Sequence, residues 1–345
     1  MSNPVLRDKI KGMILGVAIG DALGMPVEGH TADEAEAFFD HYSENKENPQ
    51  STYRVNRNHH WFKTRESGTW TDDTQLTLAT AEGIISALSS NKTSCEGIMD
   101  CIAQAHVDSL DRFGNLGLGS TTREAIEALK SGVSWESSAS IGRKLGYGNG
   151  VVMKISPIAA LLSTTRAGGI ALIEKLTNMS HKREVSVSAS YAMAEALNYC
   201  LKTNYSEFLV TDFIKGIVSA SLAGWDNINA RYQCLLMSRL VELGNYSAYN
   251  RYRIIEEFGE GRVPVYDSLP FSLMFFVKGM ASYPFDTIMD CIKAGGDTDS
   301  NGSMVASLFG ALLGSKIWTE PYIEYLWQKD YILDVIERFC YVLRI

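Results

Sequence analysis

The sequence predicts an all-α protein that folds as one compact domain of many helices. Apolar residues recur mainly at intervals of three and four, which is the spacing of buried helix faces, and alternating runs typical of β-strands are scarce. The 345-residue chain has only eight prolines, and no Pro-, Ser- or Gly-rich segment is long enough to separate two domains. With 46% hydrophobic residues it can bury a large core.

The helical spacing places the predicted helices along the chain. The first is the glycine-rich segment 11–24, which ends at Met25-Pro26. The others are 76–88, 96–110, 122–130, 184–202, 206–223, 229–243, 287–295, 302–315 and 331–343. Polar loops, where functional residues concentrate, are predicted at 41–70, 112–121, 143–151, 244–270 and 295–301. We expect 41–70, the most polar of these loops, to form a lid or a flap that contacts substrate.

Composition excludes several classes of protein. The 32 Lys and Arg against 40 Asp and Glu give a formal charge of −8, and no basic run interleaved with aromatics could follow a nucleic acid. We see no apolar stretch of the roughly 18–20 residues that cross a bilayer, and no apolar signal-peptide core. The six cysteines form no C-x-x-C pair and have no histidine at finger spacing. We therefore expect a cytoplasmic protein with reduced, mostly buried thiols.

The first predicted helix carries glycines at intervals of four: Gly12, Gly16, Gly20 and Gly24. This spacing puts them on one stripe, along which another helix can approach closely. Each interior glycine costs about 0.5–1 kcal/mol relative to alanine, so four of them indicate either tight packing or a substrate requirement. The segment also delivers two acids, Asp21 and Glu28, at or just beyond its end.

Two acid-hydroxyl clusters each precede a predicted helix, at Thr71-Asp72-Asp73-Thr74 and at Asp297-Thr298-Asp299-Ser300. One interpretation is capping, because Thr71 suits an N-cap position and carboxylates are favourable at the positive end of a helix dipole. The other is a metal site, since crowded oxygen ligands suit Mg²⁺, Mn²⁺ or Ca²⁺, and a metal pair about 3.5–4 Å apart would neutralise them. The glycines before Asp297 do not fit a phosphate loop, which would also require a lysine.

Five blocks, taken in order, resemble the ADP-ribosylglycohydrolase family, which includes dinitrogenase reductase-activating glycohydrolase and ADP-ribosylarginine hydrolase. They are GMILGVAIGDALGMPVEG (12–29), GTWTDDTQLTLATAEG (68–83), GYGNGVVMKISPIA (146–159), Ser180-His181 and AGGDTDSNGSMVASLFGALLG (294–314). The resemblance covers nearly the whole chain. It implies a single all-α orthogonal multi-helix domain over 1–345, with two Mg²⁺ or Mn²⁺ ions in a cleft. It also implies cleavage of the bond between C1″ of ADP-ribose and the group it modifies.

The family's metal ligands and catalytic acids can be carried over by position. The implied metal ligands are Thr71, Asp72, Asp73, Asp297, Asp299 and Ser300. Ser300 stands where the family more often has Thr, and it keeps the hydroxyl oxygen. The implied catalytic residues are Glu28, Asp73 and Asp299, of which Glu28 would polarise or deprotonate water or orient the distal ribose. Asp21 matches a family acid, but it could equally cap or brace neighbouring backbone.

The resemblance also implies a substrate-binding set: Gly117, Ser120, Gly146, Tyr147, Gly148, Asn149, Gly150 and His181. The loop at 146–150 would wrap the diphosphate and the distal ribose. Lys154 replaces an arginine of the family and lacks its planar fork. His181 would contact substrate, although a histidine before a helix can also be a cap or a core hydrogen-bonding group. Some arginine-specific members carry Asp where this chain has Gly117.

The expected activity is Mg²⁺-dependent hydrolysis of ADP-ribosyl-arginine on protein, which reverses mono-ADP-ribosylation. Such a protein could serve metabolic regulation or bacterial immunity against an ADP-ribosylating toxin. With Gly117 in place of Asp, an acid such as Asp108, Asp111 or one from 41–70 would have to hold the guanidinium. The alternatives are hydrolysis of serine-linked ADP-ribose or O-acetyl-ADP-ribose, and a non-catalytic binder that occludes an ADP-ribosyltransferase through 41–70 or the chain termini.

Overall fold

The computed structural model describes residues 3–42, 53–56, 58–59, 63–140, 146–164, 169–224 and 231–345. In this part of the chain sixteen α-helices are joined by loops and short 3₁₀ turns, and no β-strand forms. The helices are α1 (Pro4–Gly24), α2 (Ala32–Tyr42), α3 (Asp72–Ser89), α4 (Cys95–Phe113), α5 (Ser120–Lys130), α6 (Ser156–Thr164), α7 (Gly169–Asn178), α8 (Glu184–Lys202), α9 (Val210–Ala223), α10 (Arg231–Glu242), α11 (Arg251–Glu257), α12 (Val265–Lys278), α13 (Pro284–Ile292), α14 (Thr298–Leu313), α15 (Glu320–Glu324) and α16 (Lys329–Val342). The predicted all-α fold is confirmed.

The segment 244–270 was wrongly predicted to be a loop, because α11 and the first turns of α12 lie within it. Its Gly, Asn, Ser and charged residues indicated a loop, and Pro270 lies inside α12. Proline has no N–H to donate to the carbonyl four residues earlier. Arg239 supplies that hydrogen bond from α10, donating through Nη1 to the Tyr266 carbonyl oxygen at 2.8 Å. A tertiary contact therefore stabilises a helix that local sequence argues against. The sequence analysis also missed α2, α6, α7 and α15.

The glycine stripe of α1 packs against the backbone of α14. A Cβ placed on Gly16 would lie 2.5 Å from the Ala306 carbonyl oxygen, and one placed on Gly20 would overlap the Gly302 carbonyl. Real Cβ atoms do not approach backbone so closely, so these positions accept only glycine unless the helices separate. The packing interpretation of the stripe is therefore correct. It has a functional consequence, because α1 carries Asp21 and α14 carries Asp299.

The helix at Pro4–Val27 corrects the expectation that no segment could span a membrane. By length and composition it is apolar enough to do so, but 94% of its most apolar window is buried inside the protein. Core helices of soluble proteins have the same character. The thiol prediction holds in part: Cys200, Cys291 and Cys340 are buried, whereas Cys234 is exposed and Cys95 and Cys101 are half-buried.

Just under half of the predicted lid at 41–70 lies outside the described residues, which omit 43–52, 57 and 60–62. The described pieces pack against the rest of the chain. Tyr53 is buried and donates a hydrogen bond to the Tyr322 carbonyl oxygen at 2.6 Å. Asn56 donates to the Pro26 carbonyl oxygen at 2.9 Å. Lid behaviour of this segment stays a prediction.

Candidate active site

The two acid-hydroxyl clusters meet at the N-terminal ends of α3 and α14. Ser300 Oγ donates a hydrogen bond to Asp73 Oδ2 at 3.1 Å, and Thr71 Oγ1 donates to Asp299 Oδ2 at 3.3 Å. Both bonds cross from one cluster to the other, so each hydroxyl orients a carboxylate on the opposite helix. The residues implied as metal ligands thus form one site.

Asp21 caps α3 from the neighbouring helix α1. Its carboxylate accepts the backbone N–H of Thr71, with N···O distances of 2.8 and 3.0 Å to its two oxygens, and the backbone N–H of Thr74 at 3.0 Å. It also accepts the Thr74 hydroxyl at 2.6 Å. The side chain of Thr71 makes no capping bond of its own, which leaves its hydroxyl for Asp299. Asp21 therefore braces the backbone that carries Asp72 and Asp73.

Glu28 is held beside Asp297 by paired backbone hydrogen bonds. The N–H of Gly29 donates to the Gly296 carbonyl at 2.8 Å, and the N–H of Gly296 donates to the His30 carbonyl at 2.9 Å. Gly296 has φ +82°, and a Cβ there would overlap the carbonyls of residues 260 and 261, so glycine is required. Ligand oxygens of Glu28, Asp297 and Asp299 consequently lie within 4.8 Å of one another.

Burial and mutual repulsion raise the pKa values of these acids. Burial, followed by the charges of Asp297, Asp72 and Asp21, raises the pKa of Glu28 to about 8. Burial first, and then neighbouring charges, raises the pKa of Asp72 to about 7 and those of Asp73 and Asp299 well above their ordinary range. Asp73 Oδ1 is also buried without a hydrogen-bond partner. A divalent cation would satisfy that oxygen and offset the repulsion, so this all-oxygen donor set fits one.

A cavity of about 340 Å³ opens onto the acid cluster. Its lining contains most of the residues predicted to act on substrate or metal: Glu28, Asp72, Gly117, Ser120, Tyr147, Gly148, Asn149, Gly150, His181, Asp297, Asp299 and Ser300. Thr71 and Asp73 are buried and outside that lining. Gly146 is outside it as well, because it packs against the backbone of His181. The structure therefore gathers the predicted set around one cavity.

The segment 259–265 joins the glycine loop to the acid cluster, and sequence reasoning missed it. The Gly261 carbonyl accepts the backbone N–H of Asp297 at 3.0 Å and the side-chain amide of Asn301 at 2.7 Å. The Val263 carbonyl accepts the N–H of Asn149 at 3.0 Å, and Asn149 Nδ2 in turn donates to Asp297 Oδ2 at 2.7 Å. Gly259 and Gly261 were the feature of the sequence that could have indicated this segment, since both have the positive φ that glycine adopts most easily.

A buried chain of hydrogen bonds orients His181. Lys154 is fully buried and donates through Nζ to Ser180 Oγ at 3.4 Å, and Ser180 Oγ lies 2.9 Å from His181 Nδ1. With Lys154 donating to Ser180 Oγ, we assign the Ser180 hydroxyl hydrogen to the bond with Nδ1, and this assignment places the ring hydrogen on Nε2. Burial lowers the pKa of His181 to about 3, so the ring is neutral. Lys154 lies behind the cavity, outside its lining.

The acids proposed to hold an acceptor guanidinium are elsewhere. Asp108 is exposed and accepts a hydrogen bond from Gln104 at 2.8 Å, and Asp111 is exposed and pairs with Lys130. Neither lines the cavity, so neither can grip a leaving group there. Of the acids in the 41–70 segment, Glu66 is exposed and does not line this cavity, and Glu44 and Glu47 lie outside the described residues.

Comparison with known families identifies the protein's relatives. The family model described as ADP-ribosylglycohydrolase matches residues 2–344. The chain belongs to the ADP-ribosylglycohydrolase family. The family acts on ADP-ribosylated substrates, and this member is accordingly a hydrolase of ADP-ribosyl groups.

Individual relatives of this ADP-ribosylglycohydrolase are distant but match over nearly the full length. ADP-ribosylhydrolase ARH3 of Xenopus tropicalis is 23% identical over 89% of this chain and 88% of its own. ADP-ribosylarginine hydrolase Tri1 of Serratia proteamaculans is 23% identical over 97% of this chain and 80% of its own. A solved structure titled as an ADP-ribosylglycohydrolase-related protein complex is 20% identical, with a TM-score of 0.63 over 99% of both chains. That likeness establishes the fold.

Proposed function

We propose that this protein hydrolyses ADP-ribosyl-arginine in modified proteins, releasing ADP-ribose and unmodified arginine with the help of divalent cations. The observation that carries the proposal is the acid cluster of Glu28, Asp297 and Asp299, which opens into the cavity formed with the glycine loop 146–150. A sugar placed at this cluster would have carboxylates beside its anomeric carbon and glycine backbone beside its phosphates.

Mg²⁺ or Mn²⁺, in a pair, is the proposed cofactor. The ligands would be Thr71, Asp72, Asp73, Asp297, Asp299 and Ser300, and Glu28 is near enough to Asp297 and Asp299 to join them. When bound, such cations supply Lewis acidity toward water and the ribose hydroxyls. The orphaned Asp73 Oδ1 supports this assignment, since a buried carboxylate oxygen without a partner is costly.

The residues of the chain account for the bond cleavage. Water attacks C1″ while the bond from C1″ to the guanidine nitrogen breaks, and the electron pair leaves with that nitrogen. Positive charge develops on the ribose, where the carboxylates of Asp297 and Asp299 stabilise it. Glu28 lines the cavity and accepts the proton of the attacking water. The substrate guanidinium becomes a neutral guanidine as it takes the electron pair and then binds a proton from solvent, and the hydroxyl remains on C1″.

The other side of the cavity suits the ADP moiety. His181 offers an Nε2–H donor beside Gly148, and the absence of side chains at Gly148 and Gly150 lets phosphate oxygens approach the backbone. Asn149 has a different task, since its amide is engaged with Asp297. This division places the diphosphate near the histidine and the distal ribose near the acids.

The proposal favours arginine over serine as the acceptor because a cationic guanidinium is attracted to an acidic cleft, whereas a serine hydroxyl is not. The test is to incubate the protein with an arginine-ADP-ribosylated protein and with a serine-ADP-ribosylated peptide at matched concentration, in Mg²⁺ and in EDTA. We expect faster release of ADP-ribose from the arginine linkage, and only with Mg²⁺. Equal or faster release from the serine linkage, or from O-acetyl-ADP-ribose, would overturn the assignment of the acceptor.

Variants separate catalysis from folding in the same assay. Asp299→Ala and Glu28→Gln should each reduce turnover at least a hundredfold while circular dichroism stays helical. Asp111→Ala is the matched control, because that acid is exposed and away from the cavity. Wild-type turnover in Glu28→Gln would assign the base to another carboxylate.

We further propose that the protein works in the cytoplasm and reverses modification by an ADP-ribosyltransferase, as an immunity protein would. Co-expression with an arginine-specific ADP-ribosylating toxin tests this role. Protection that persists in the Asp299→Ala variant would instead support the alternative of a binder that occludes the transferase.

A further inference from the structure

A second cavity, of about 820 Å³, adjoins the acid cluster. It is formed by the N-terminal end of α2, by α11 and by the segment 260–264. Glu28, Val263 and Asp297 line both this cavity and the 340 Å³ cavity. The acids proposed to flank the anomeric carbon therefore stand at the junction of two chambers.

The geometry of the reaction requires such a junction. Hydrolysis at C1″ separates the ADP-ribose, on one side of the reacting carbon, from the acceptor, on the other. The smaller cavity has the glycine loop and the His181 donor, which suit the diphosphate. The larger cavity has one guanidinium in its lining, Arg262, and that group pairs with Glu260. Because the smaller cavity is the one matched to the ADP moiety, the larger cavity, on the other side of the shared acids, is the natural place for the acceptor.

The charge of the larger cavity selects the chemistry of the acceptor. Besides Glu28 and Asp297, which belong to the proposed cation site, its lining has two carboxylates, Asp33 and Glu260, against the single guanidinium of Arg262, which pairs with Glu260. A cationic acceptor gains from this surplus of negative charge, and an anionic one is repelled. Two of these acids, Asp33 and Glu260, are exposed. They replace Asp108 and Asp111 as the groups available to a guanidinium.

The cavity also carries apolar surface. Tyr252 is 70% exposed and Val263 is 54% exposed. Ile255, on α11, is half-buried and lines the same cavity. Exposed aromatic and aliphatic side chains beside a charged cleft are typical of surfaces that bind polypeptide. A volume of about 820 Å³ is also larger than one arginine side chain needs, so residues flanking the modified arginine would enter.

We propose that the cavity between α2, α11 and segment 260–264 is the acceptor site, which holds the modified arginine and the polypeptide around it. Asp33 and Glu260 attract the guanidinium, and Tyr252, Ile255 and Val263 pack against neighbouring residues of the substrate protein. This inference rests on the proposed hydrolysis of ADP-ribosyl-arginine and adds that the protein recognises more than the ADP-ribose.

The first test compares an arginine-ADP-ribosylated protein with free ADP-ribosyl-arginine, in Mg²⁺. Tyr252→Ala should raise the ratio of KM for the protein to KM for the free conjugate at least fivefold, because only the protein substrate supplies residues for Tyr252 to contact. Tyr341→Ala is the matched control, since Tyr341 is 80% exposed and lines neither cavity. An unchanged ratio in Tyr252→Ala would overturn the acceptor site.

The second test concerns charge. Asp33→Lys should lower kcat/KM for the arginine-linked protein about tenfold, with a weaker effect at high salt. Asp330→Lys is the control, because that carboxylate is 95% exposed on α16, away from both cavities. If Asp33→Lys and Asp330→Lys lower kcat/KM equally, the charge of the cavity does not attract the acceptor. If the wild-type protein releases ADP-ribose from neither arginine substrate, the proposed function fails. If the wild-type protein hydrolyses both but Tyr252→Ala and Asp33→Lys behave like their controls, the acceptor site alone fails.

Discussion

Ser300 Oγ and Asp73 Oδ2 form a 3.1 Å hydrogen bond across 227 residues of chain. The bond joins the first turns of α14 and α3, and it leaves the other oxygen of Asp73 buried and without a partner. Crowded carboxylates at two helix starts are held by hydroxyls and by Asp21 in an arrangement that is electrostatically unfavourable when it is empty. The site is pre-organised for a cation.

The first prediction is that divalent cations stabilise the protein. Mg²⁺ or Mn²⁺ should raise the melting temperature by several degrees over the same protein in EDTA, because binding removes the repulsion among Asp72, Asp297 and Asp299. Asp299→Asn should abolish this shift while leaving the cation-free protein at least as stable, since it removes both a ligand and a buried charge. Differential scanning fluorimetry measures both effects. An identical shift in Asp299→Asn would contradict the ligand assignment.

The second prediction is that the stabilisation by Mg²⁺ grows between pH 5 and pH 8. Above about pH 4 these acids are ionised in the unfolded chain but stay protonated in the folded protein, where their pKa is raised. Their contribution to stability therefore decreases as pH rises toward the folded-state pKa. The pKa values of about 6 for Asp21, 7 for Asp72 and 8 for Glu28 set this window. Mg²⁺ should replace the protons in the acid cluster and so prevent this decrease in stability at high pH.

The measurement is the difference in unfolding free energy between Mg²⁺ and EDTA, from urea titrations at pH 5 and pH 8. Taking the difference matters because His106 and His181, whose pKa values burial lowers to about 3, act in the opposite direction under both conditions. Each group can contribute up to about 1.4 kcal/mol per pH unit. A difference that does not change with pH would show that these acids are not linked to cation binding.

The acids and hydroxyls could be predicted from the chemistry of their residue types, and the glycine loop 146–150 from its resemblance to the family. The sequence could not show that residues 72 and 297 meet, since that depends on the packing of α1 against α14. It missed segment 259–265, whose contribution comes from carbonyl oxygens that any residue possesses. It offered Asp108, Asp111 or an acid of 41–70 as the acceptor acid. Asp108 and Asp111 are close to Gly117 along the chain but do not line the cavity with it, because proximity along the chain says little about which groups share a cavity.

The third prediction concerns the glycine stripe. Gly16→Ala should destabilise the protein by about 1–3 kcal/mol, because its Cβ would lie 2.5 Å from the Ala306 carbonyl oxygen and force α1 away from α14. Gly244→Ala is the matched control, since a Cβ there meets nothing within 4 Å, and we expect a change within about 0.5 kcal/mol. Urea unfolding measures both. Equal stability of the two variants would mean that the helices separate without cost.

The last prediction tests the orientation of His181 by Ser180. Ser180→Ala removes the hydrogen bond to Nδ1, so the ring should no longer be fixed with its Nε2–H toward the cavity. A lost hydrogen bond worth about 1–1.4 kcal/mol corresponds to an increase in KM of about five- to tenfold, with kcat little changed because the acids are untouched. Ser180→Thr keeps a hydroxyl and should restore the wild-type KM. Ser163→Ala is the control, because within the described residues the Ser163 hydroxyl donates to the Ala160 carbonyl of its own helix, at 2.7 Å, and is away from His181. If Ser180→Ala binds substrate as the wild type does, Ser180 does not orient the ring; if kcat alone falls, His181 acts on the reacting atoms rather than on the ADP moiety.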